Sequence, residues 1–191
     1  MILYRTVCDK NLIAWLLYHS GYVALKQGDY TRAHALLEES LAILKELSIK
    51  NGRAWPLIRL AELLFVSKGD RSGVRTLLDQ SLALFREVDD KWGMAFCFFL
   101  SGQVAIQQGN ASTARLLAKQ SVELCKEIGH RECTVESLSL LASVFAIQGD
   151  YRAARALYEE SLSIAREGNY KDLFPCCLKG LASIVATQGE P

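Results

Sequence analysis

Four segments of this chain align on one another without a gap: QGDYTRAHALLEESLAILKEL, KGDRSGVRTLLDQSLALFREV, QGNASTARLLAKQSVELCKEI and QGDYRAARALYEESLSIAREG, and QGEP begins a fifth. Their glycines are Gly28, Gly69, Gly109, Gly149 and Gly189, at intervals of 41, 40, 40 and 40 residues. Twelve residues after the glycine stands Ser40, Ser81, Ser121 or Ser161, and six further on Glu46, Glu87, Glu127 or Glu167. So regular a period across the whole chain predicts a solenoid, in which one unit cannot bury its apolar face alone and must stack on its neighbours.

Each unit reads as two helices, one before the glycine (95–108, for example) and one after it (111–128). Both are rich in Ala, Leu, Gln, Lys and Glu, and apolar residues recur at helical spacing, as in Ala33, Leu36, Leu37, Leu41 and Leu44. The glycine suits the left-handed position just past a helix end. The residue after it (Asp29, Asp70, Asn110, Asp150) can accept hydrogen bonds from the first N–H groups of the next helix. One dipeptide thus ends one helix and starts the next. Small residues stand seven before the glycine (Gly21, Gly102, Ala142) and five after it (Ala33, Ala114, Ala154), where two helices must approach closely.

These paired small residues, with a large apolar position at Leu37, Leu78 and Tyr158, resemble a tetratricopeptide repeat array covering essentially the full 191 residues. The period is about 40 where the standard unit has 34, so longer helices are expected. Strings such as EESLAILKEL, EESLSIAREG, KNGRAW and LASIVATQGEP are similar to the repeat regions of large bacterial ATP-binding transcriptional regulators of the maltose-activator type and of predicted ATPases. Eukaryotic adaptors with long repeats are a second resemblance. The first implies a right-handed, all-α solenoid of about nine antiparallel-paired helices, and a cytoplasmic sensing segment that receives an inducer or a regulatory protein. The repeats are expected at 10–50, 51–90, 91–130 and 131–170, with 171–191 the first helix of a fifth and 1–9 the tail of a preceding unit. Such ends carry no polar capping helix, so self-association through them is a further expectation.

The second unit is irregular. Its extra residue is expected between Ala54 and Leu60, beside Pro56, with a helix that begins near Trp55 or one that bends at the proline. Glu62 stands at the small-residue position and Val74 replaces the alanine.

Composition excludes several function classes. With 22 Lys and Arg against 21 Asp and Glu, the net charge of +1 offers no field for nucleic acid or an anionic membrane. The uncharged run from Trp92 to Ala114 is interrupted by Gln103, Gln107, Gln108 and Asn110 and reads as a buried helix. The six cysteines read as reduced core thiols, and the adjacent Cys176 and Cys177 as pointing to different faces of a helix. No phosphate loop, HExxH or CxxC occurs, and His19, His34 and His130 fall at different places in the repeat. The pairs Glu38-Glu39 and Glu159-Glu160 recur at one repeat position and read as solvated face. The chain is therefore expected to be no enzyme and to hold no cofactor or metal.

What remains is the concave face that first helices line in the resembled fold. Counting back from each glycine selects Trp15, Tyr18, His19 and Tyr22, then Arg59, then Phe96, Phe99 and Gln103, then Glu136, Ser139, Leu140 and Ser143, then Cys176. Because Trp, Tyr and Arg anchor interfaces, Trp15, Tyr18, His19, Tyr22, Arg59, Phe99 and Gln103 are the expected contacts to a protein or peptide partner. The alternative is a small-molecule inducer pocket in the aromatic first half, near Trp15, Tyr18, Tyr22 and Phe99.

Overall fold

A computed structural model describes residues 2–67 and 71–189. The described residues form α1 (Ile2–Lys26), α2 (Tyr30–Glu46), α3 (Lys50–Val66), α4 (Arg71–Glu87), α5 (Lys91–Gln107), α6 (Ala111–Glu127), α7 (Arg131–Ile147), α8 (Tyr151–Glu167), a short 3₁₀ segment (Lys171–Leu173) and α9 (Phe174–Gln188). From α2 to α8 every helix has 17 residues, and short turns join those whose connections are described. Two such helices and two three-residue connections fill the 40-residue period. The architecture is an all-α solenoid of antiparallel helix pairs.

The turns carry out the chemistry that the repeated dipeptide implies. Gly28, Gly109, Gly149 and Gly189 have φ of 80°, 74°, 82° and 71°, a region open to glycine without steric cost. Asp29, Asn110 and Asp150 accept from the N–H groups of Arg32, Thr113 and Ala153 as N-caps. Gly69 and Asp70 lie outside the described residues. At the other set of junctions, Ser48, Asp89, Gly129 and Asn169 take the positive-φ place. His130 caps α7, its Nδ1 accepting from the Cys133 N–H at 3.1 Å.

Three expectations are corrected here. Helix α3 starts at Lys50 rather than near Trp55, and it runs through Pro56 at full length; the extra residue of the second unit falls in the α3–α4 connection, residues 67–70. In that register Ala61, fully buried, takes the small-residue position, and Glu62 turns instead towards Arg59. Helix α1 continues from Ile2 to Lys26 with no turn at Asp9 and Lys10. The junction position held elsewhere by Ser48, Asp89, Gly129 and Asn169 is here Cys8, a residue type poorly suited to positive φ.

The cysteines also depart from the sequence reading. Cys125, in the last turn of α6, and Cys133, in the first turn of α7, form a disulfide with a Cα–Cα separation of 5.7 Å, within the range a bridge spans. The tight turn at 128–130 brings together two positions eight residues apart. Cys97, Cys176 and Cys177 are free.

Contacts divide the chain into two compact units, residues 1–93 and 94–191. In the first, Tyr18 of α1, Leu37 and Leu41 of α2, and Leu57 and Leu60 of α3 form a core against which Trp15, Trp55, Leu77 and Leu84 pack. Gly21 permits this approach: a Cβ there would stand 2.9 Å from Leu37 Cγ. In the second, Ala118 and Val122 of α6 meet Leu138, Leu140 and Leu141 of α7, and Ala142, Ala154, Tyr158 and Ile184 join α7, α8 and α9.

One polar contact recurs in every pair. Ser40, Ser81, Ser121 and Ser161, all fully buried, donate to the main-chain carbonyls of Ala14, Ala54, Ala95 and Val135 at 2.7, 2.9, 2.9 and 2.8 Å. A helical carbonyl already accepts an intrahelical bond, but its second lone pair remains available. Removing one hydroxyl therefore forfeits a buried hydrogen bond worth about 1 kcal/mol. Ser121 also meets Ser137 Oγ at 2.7 Å, so Ser121→Ala should cost roughly 1–2 kcal/mol in urea denaturation, with the far-ultraviolet spectrum of the folded state unchanged. Alkylation of the unfolded, unreduced chain should spare Cys125 and Cys133, and prior reduction should add two labels to the intact mass.

Candidate functional site

In the first unit, helical spacing puts Trp15, Tyr18, His19, Tyr22 and Lys26 on one side of α1. Their rings form a connected row. Trp15 meets Tyr18 edge-on with centroids 5.5 Å apart, and His19 lies 4.9 Å from Tyr18 and 6.1 Å from Trp15. Helix α3 adds Arg59, whose guanidinium lies 4.4 Å above the Tyr22 ring while Lys26 Nζ lies 5.3 Å from it. Glu62 holds both cations, accepting from Arg59 Nη1 at 2.6 Å and from Lys26 Nζ at 3.0 Å.

Burial sorts these residues into two roles. Tyr18 and Arg59 are each only 7% exposed, Trp15 and Tyr22 are half-buried, and His19 and Lys26 face solvent. Tyr18 is thus a core residue that supports the cluster from below, bonding to Arg59, rather than a side chain offered to a partner. Burial by itself disfavours the Arg59 charge, yet Tyr18 and Glu62 outweigh it and raise its pKa above the ordinary arginine value. The surface that results is the Trp15 indole, the His19 imidazole and the Tyr22 ring, with the buried Arg59 guanidinium 4.4 Å from that ring behind them.

Phe99 and Gln103 belong to the second unit. There they line a cavity of about 330 Å³ with Glu136, Ser139, Leu140, Ser143, Tyr158, Asp172, Leu173 and Cys176. Phe96 stacks on Phe99 with centroids 6.2 Å apart. Glu136, Ser139, Leu140, Ser143 and Cys176 come from the counted first-helix positions. Tyr158, Asp172 and Leu173 do not, because α8 and the 3₁₀ segment supply them, and no first-helix count reaches those elements. Burial, then the neighbouring Cys176 and Cys177, raises the Tyr158 hydroxyl above the usual tyrosine range, so it is neutral and available to donate. Trp15, Tyr18 and Tyr22 are not among the residues that line this cavity.

Glu38, Glu39, Glu159 and Glu160 are exposed, as a solvated face requires. Among the described residues no group of three or more His, Cys, Asp or Glu side chains could hold a metal ion. Among the described residues no helix is long and apolar enough to cross a membrane.

Against this geometry the comparisons with known proteins are consistent. Two tetratricopeptide-repeat family models match, one over residues 95–167 and one over 13–48, together more than half the chain. The chain belongs to the tetratricopeptide repeat family. Its fold is similar to a Rap protein complexed with Competence and Sporulation Factor (TM-score 0.83, 16% identity, 94% of this chain and 50% of that one). It is similar also to a Signal Transduction ATPase with Numerous Domains carrying a tetratricopeptide repeat sensor, from Pyrococcus horikoshii (TM-score 0.72, 16% identity, 97% of this chain and 30% of that one). A third likeness is to BtubC from P. vanneervenii (TM-score 0.71, 15% identity, 84% of this chain and 66% of that one). The chain thus spans about half the length of the Rap protein and less than a third of the ATPase. No curated protein matches the sequence.

The unequal burial of the two cations predicts unequal energetics. Arg59→Met removes hydrogen bonds between charged groups at a buried site and should cost about 1.5–3 kcal/mol. Lys26→Met, at the solvent edge, should cost less than about 1 kcal/mol. Urea denaturation of the two variants checks the order.

Proposed function

We propose that this chain is a non-catalytic binding module, the partner- or inducer-sensing repeat segment of a larger cytoplasmic regulatory protein of the ATP-binding transcriptional regulator and ATPase kind. Its first-unit face, built on Trp15, His19 and Tyr22 with Tyr18 and Arg59 beneath, holds a protein or peptide partner. The observation that carries this reading is the Arg59–Tyr22 stack beside Trp15 and His19. Indole, phenol and guanidinium groups supply large contact areas at small entropic cost, and they dominate the energetics of interfaces. Here they are preorganised by Glu62 and Tyr18, so little ordering remains to be done on binding. The likenesses support it: one relative in fold is complexed with Competence and Sporulation Factor, and another carries a tetratricopeptide repeat sensor.

Trp15→Ala with Tyr22→Ala is the direct test, since both residues are half-buried and neither belongs to the central core. Peptides selected from a random library on the immobilised full chain should lose at least tenfold in affinity for the double variant, while its helical content is unchanged. Equal binding by both proteins would sink the assignment. Tyr18 is unsuitable for this purpose, because its truncation would open the core at a cost of about 3–5 kcal/mol.

A second reading, small-molecule sensing, is favoured by the second-unit cavity. Its volume of about 330 Å³ lies at the lower end of ligand pockets, and its lining pairs Phe99 and Leu140 with a few polar groups. Phe99 and Gln103 act in this reading as pocket walls.

A further inference from the structure

Independently of the partner-binding face, we propose that Cys176 and Cys177 form a dithiol site for a trivalent thiophilic ligand, of the class of monosubstituted arsenicals, at the wall of the second-unit cavity. The sequence places the two cysteines side by side in the first turn of α9, where adjacent residues ordinarily diverge. In the structure their sulfurs converge to 3.9 Å. Cys176 lines the cavity and Cys177 is fully buried behind it.

Hydroxyl groups surround the pair. Ser139 Oγ lies 3.4 Å from Cys177 Sγ and 3.7 Å from Cys176 Sγ. Ser161 Oγ lies 3.3 Å from Cys177 Sγ, but its single proton goes to the Val135 carbonyl at 2.8 Å. Ser139 Oγ also lies 2.9 Å from Ser161 Oγ and, with the Ser161 proton committed, donates there, so Ser139 faces the two thiols as an acceptor. Cys176 donates its own proton to the Leu173 carbonyl at 2.9 Å.

The spacing selects the ligand. Two bonds of roughly 2.3 Å, the length of a zinc–thiolate bond, from sulfurs 3.9 Å apart would meet at an angle of about 115°. That angle is far from the linear arrangement of a two-coordinate ion. A four-coordinate metal needs further ligands, and no group of three or more ligating side chains is present among the described residues. A pyramidal trivalent centre that brings its own third substituent needs only the two thiols, and a small rotation of the exposed Cys176 side chain closes the 3.9 Å gap to its narrower angle. An aryl substituent then has somewhere to go, because Phe99, Leu140, Leu173 and Tyr158 line the adjoining cavity.

The step balances without electron transfer. With phenylarsine oxide, two As–S bonds form, both S–H bonds and the arsenic–oxygen bonding break, and the two thiol protons leave with the oxygen as one water. Arsenic stays trivalent throughout.

The test is titration of the full chain with phenylarsine oxide, followed by intact mass and by alkylation of the remaining thiols. One equivalent should bind and protect two cysteines, resist a monothiol and be released by a dithiol. Cys176→Ser, at an exposed position, and Cys177→Ser, nearly isosteric, should each weaken binding by roughly a hundredfold or more, the loss expected when a bidentate ligand becomes monodentate. Cys97→Ser and Cys8→Ser should leave it unchanged. Leu140→Trp, which narrows the cavity, should weaken the phenyl compound more than arsenite. Failure to bind, release by a monothiol, or full retention in either the Cys176 or the Cys177 variant would overturn the proposal.

Discussion

The hydrogen bond from one buried serine hydroxyl to a main-chain carbonyl of the paired helix is the contact on which the rest of this fold is registered. It forms only where two helix backbones come close. About two helical turns along the same seam stand Gly21, Ala33, Ala61, Gly102, Ala114, Ala142 and Ala154, all buried. A hydroxyl so placed must find a partner or incur a desolvation cost of about 1–3 kcal/mol, so it penalises any slip of one helix along the other. In Ser121 and Ser161 the same oxygen also meets a group on the following first helix, Ser137 or Cys177. One side chain therefore registers a helix pair internally and against the next pair.

Fixed register is what places the aromatic and charged cluster of the first unit. Tyr18 is buried because α1 lies against α2 and α3, and that burial turns its hydroxyl towards Arg59. Arg59 in turn can be desolvated only because Glu62 and Tyr18 answer its charge and Tyr22 covers its face. The cluster is thus a product of packing in which the exposed members, His19 and Lys26, contribute little to holding it together. In the second unit the same principle works through Ser139 and Ser161, which fill the space beside Cys176 and Cys177 with hydroxyl groups rather than methyl groups.

Much of this was legible from residue order. The glycine and the Asp or Asn after it announced left-handed turns and N-caps, and they occur with the implied φ values and bonds at Gly28, Gly109 and Gly149. The helical stripes announced which faces are buried. The second unit was misread because gapless alignment on Gly69 cannot tell an insertion within a helix from one in a connection. Proline at 56 drew the insertion towards itself, whereas the 17-residue length of α3 puts it at 67–70. The partners of the predicted residues were harder still, since Glu62 looked like a failed small residue, and nothing local marks Tyr158 or Asp172 as walls of a cavity.

The sequence by itself determined the repeat, the helix pairs, the turn chemistry and which residues the first helices carry on their aromatic side. These depend on interactions within a few residues, or on a period that the chain displays directly. Only the tertiary structure decided that Tyr18 is support rather than contact, that Cys125 and Cys133 are bridged, that Cys176 and Cys177 converge, and that the cavity belongs to the second unit. Each of those outcomes depends on distances between helices, and such distances are set by how side chains from different turns of the repeat fill a common space.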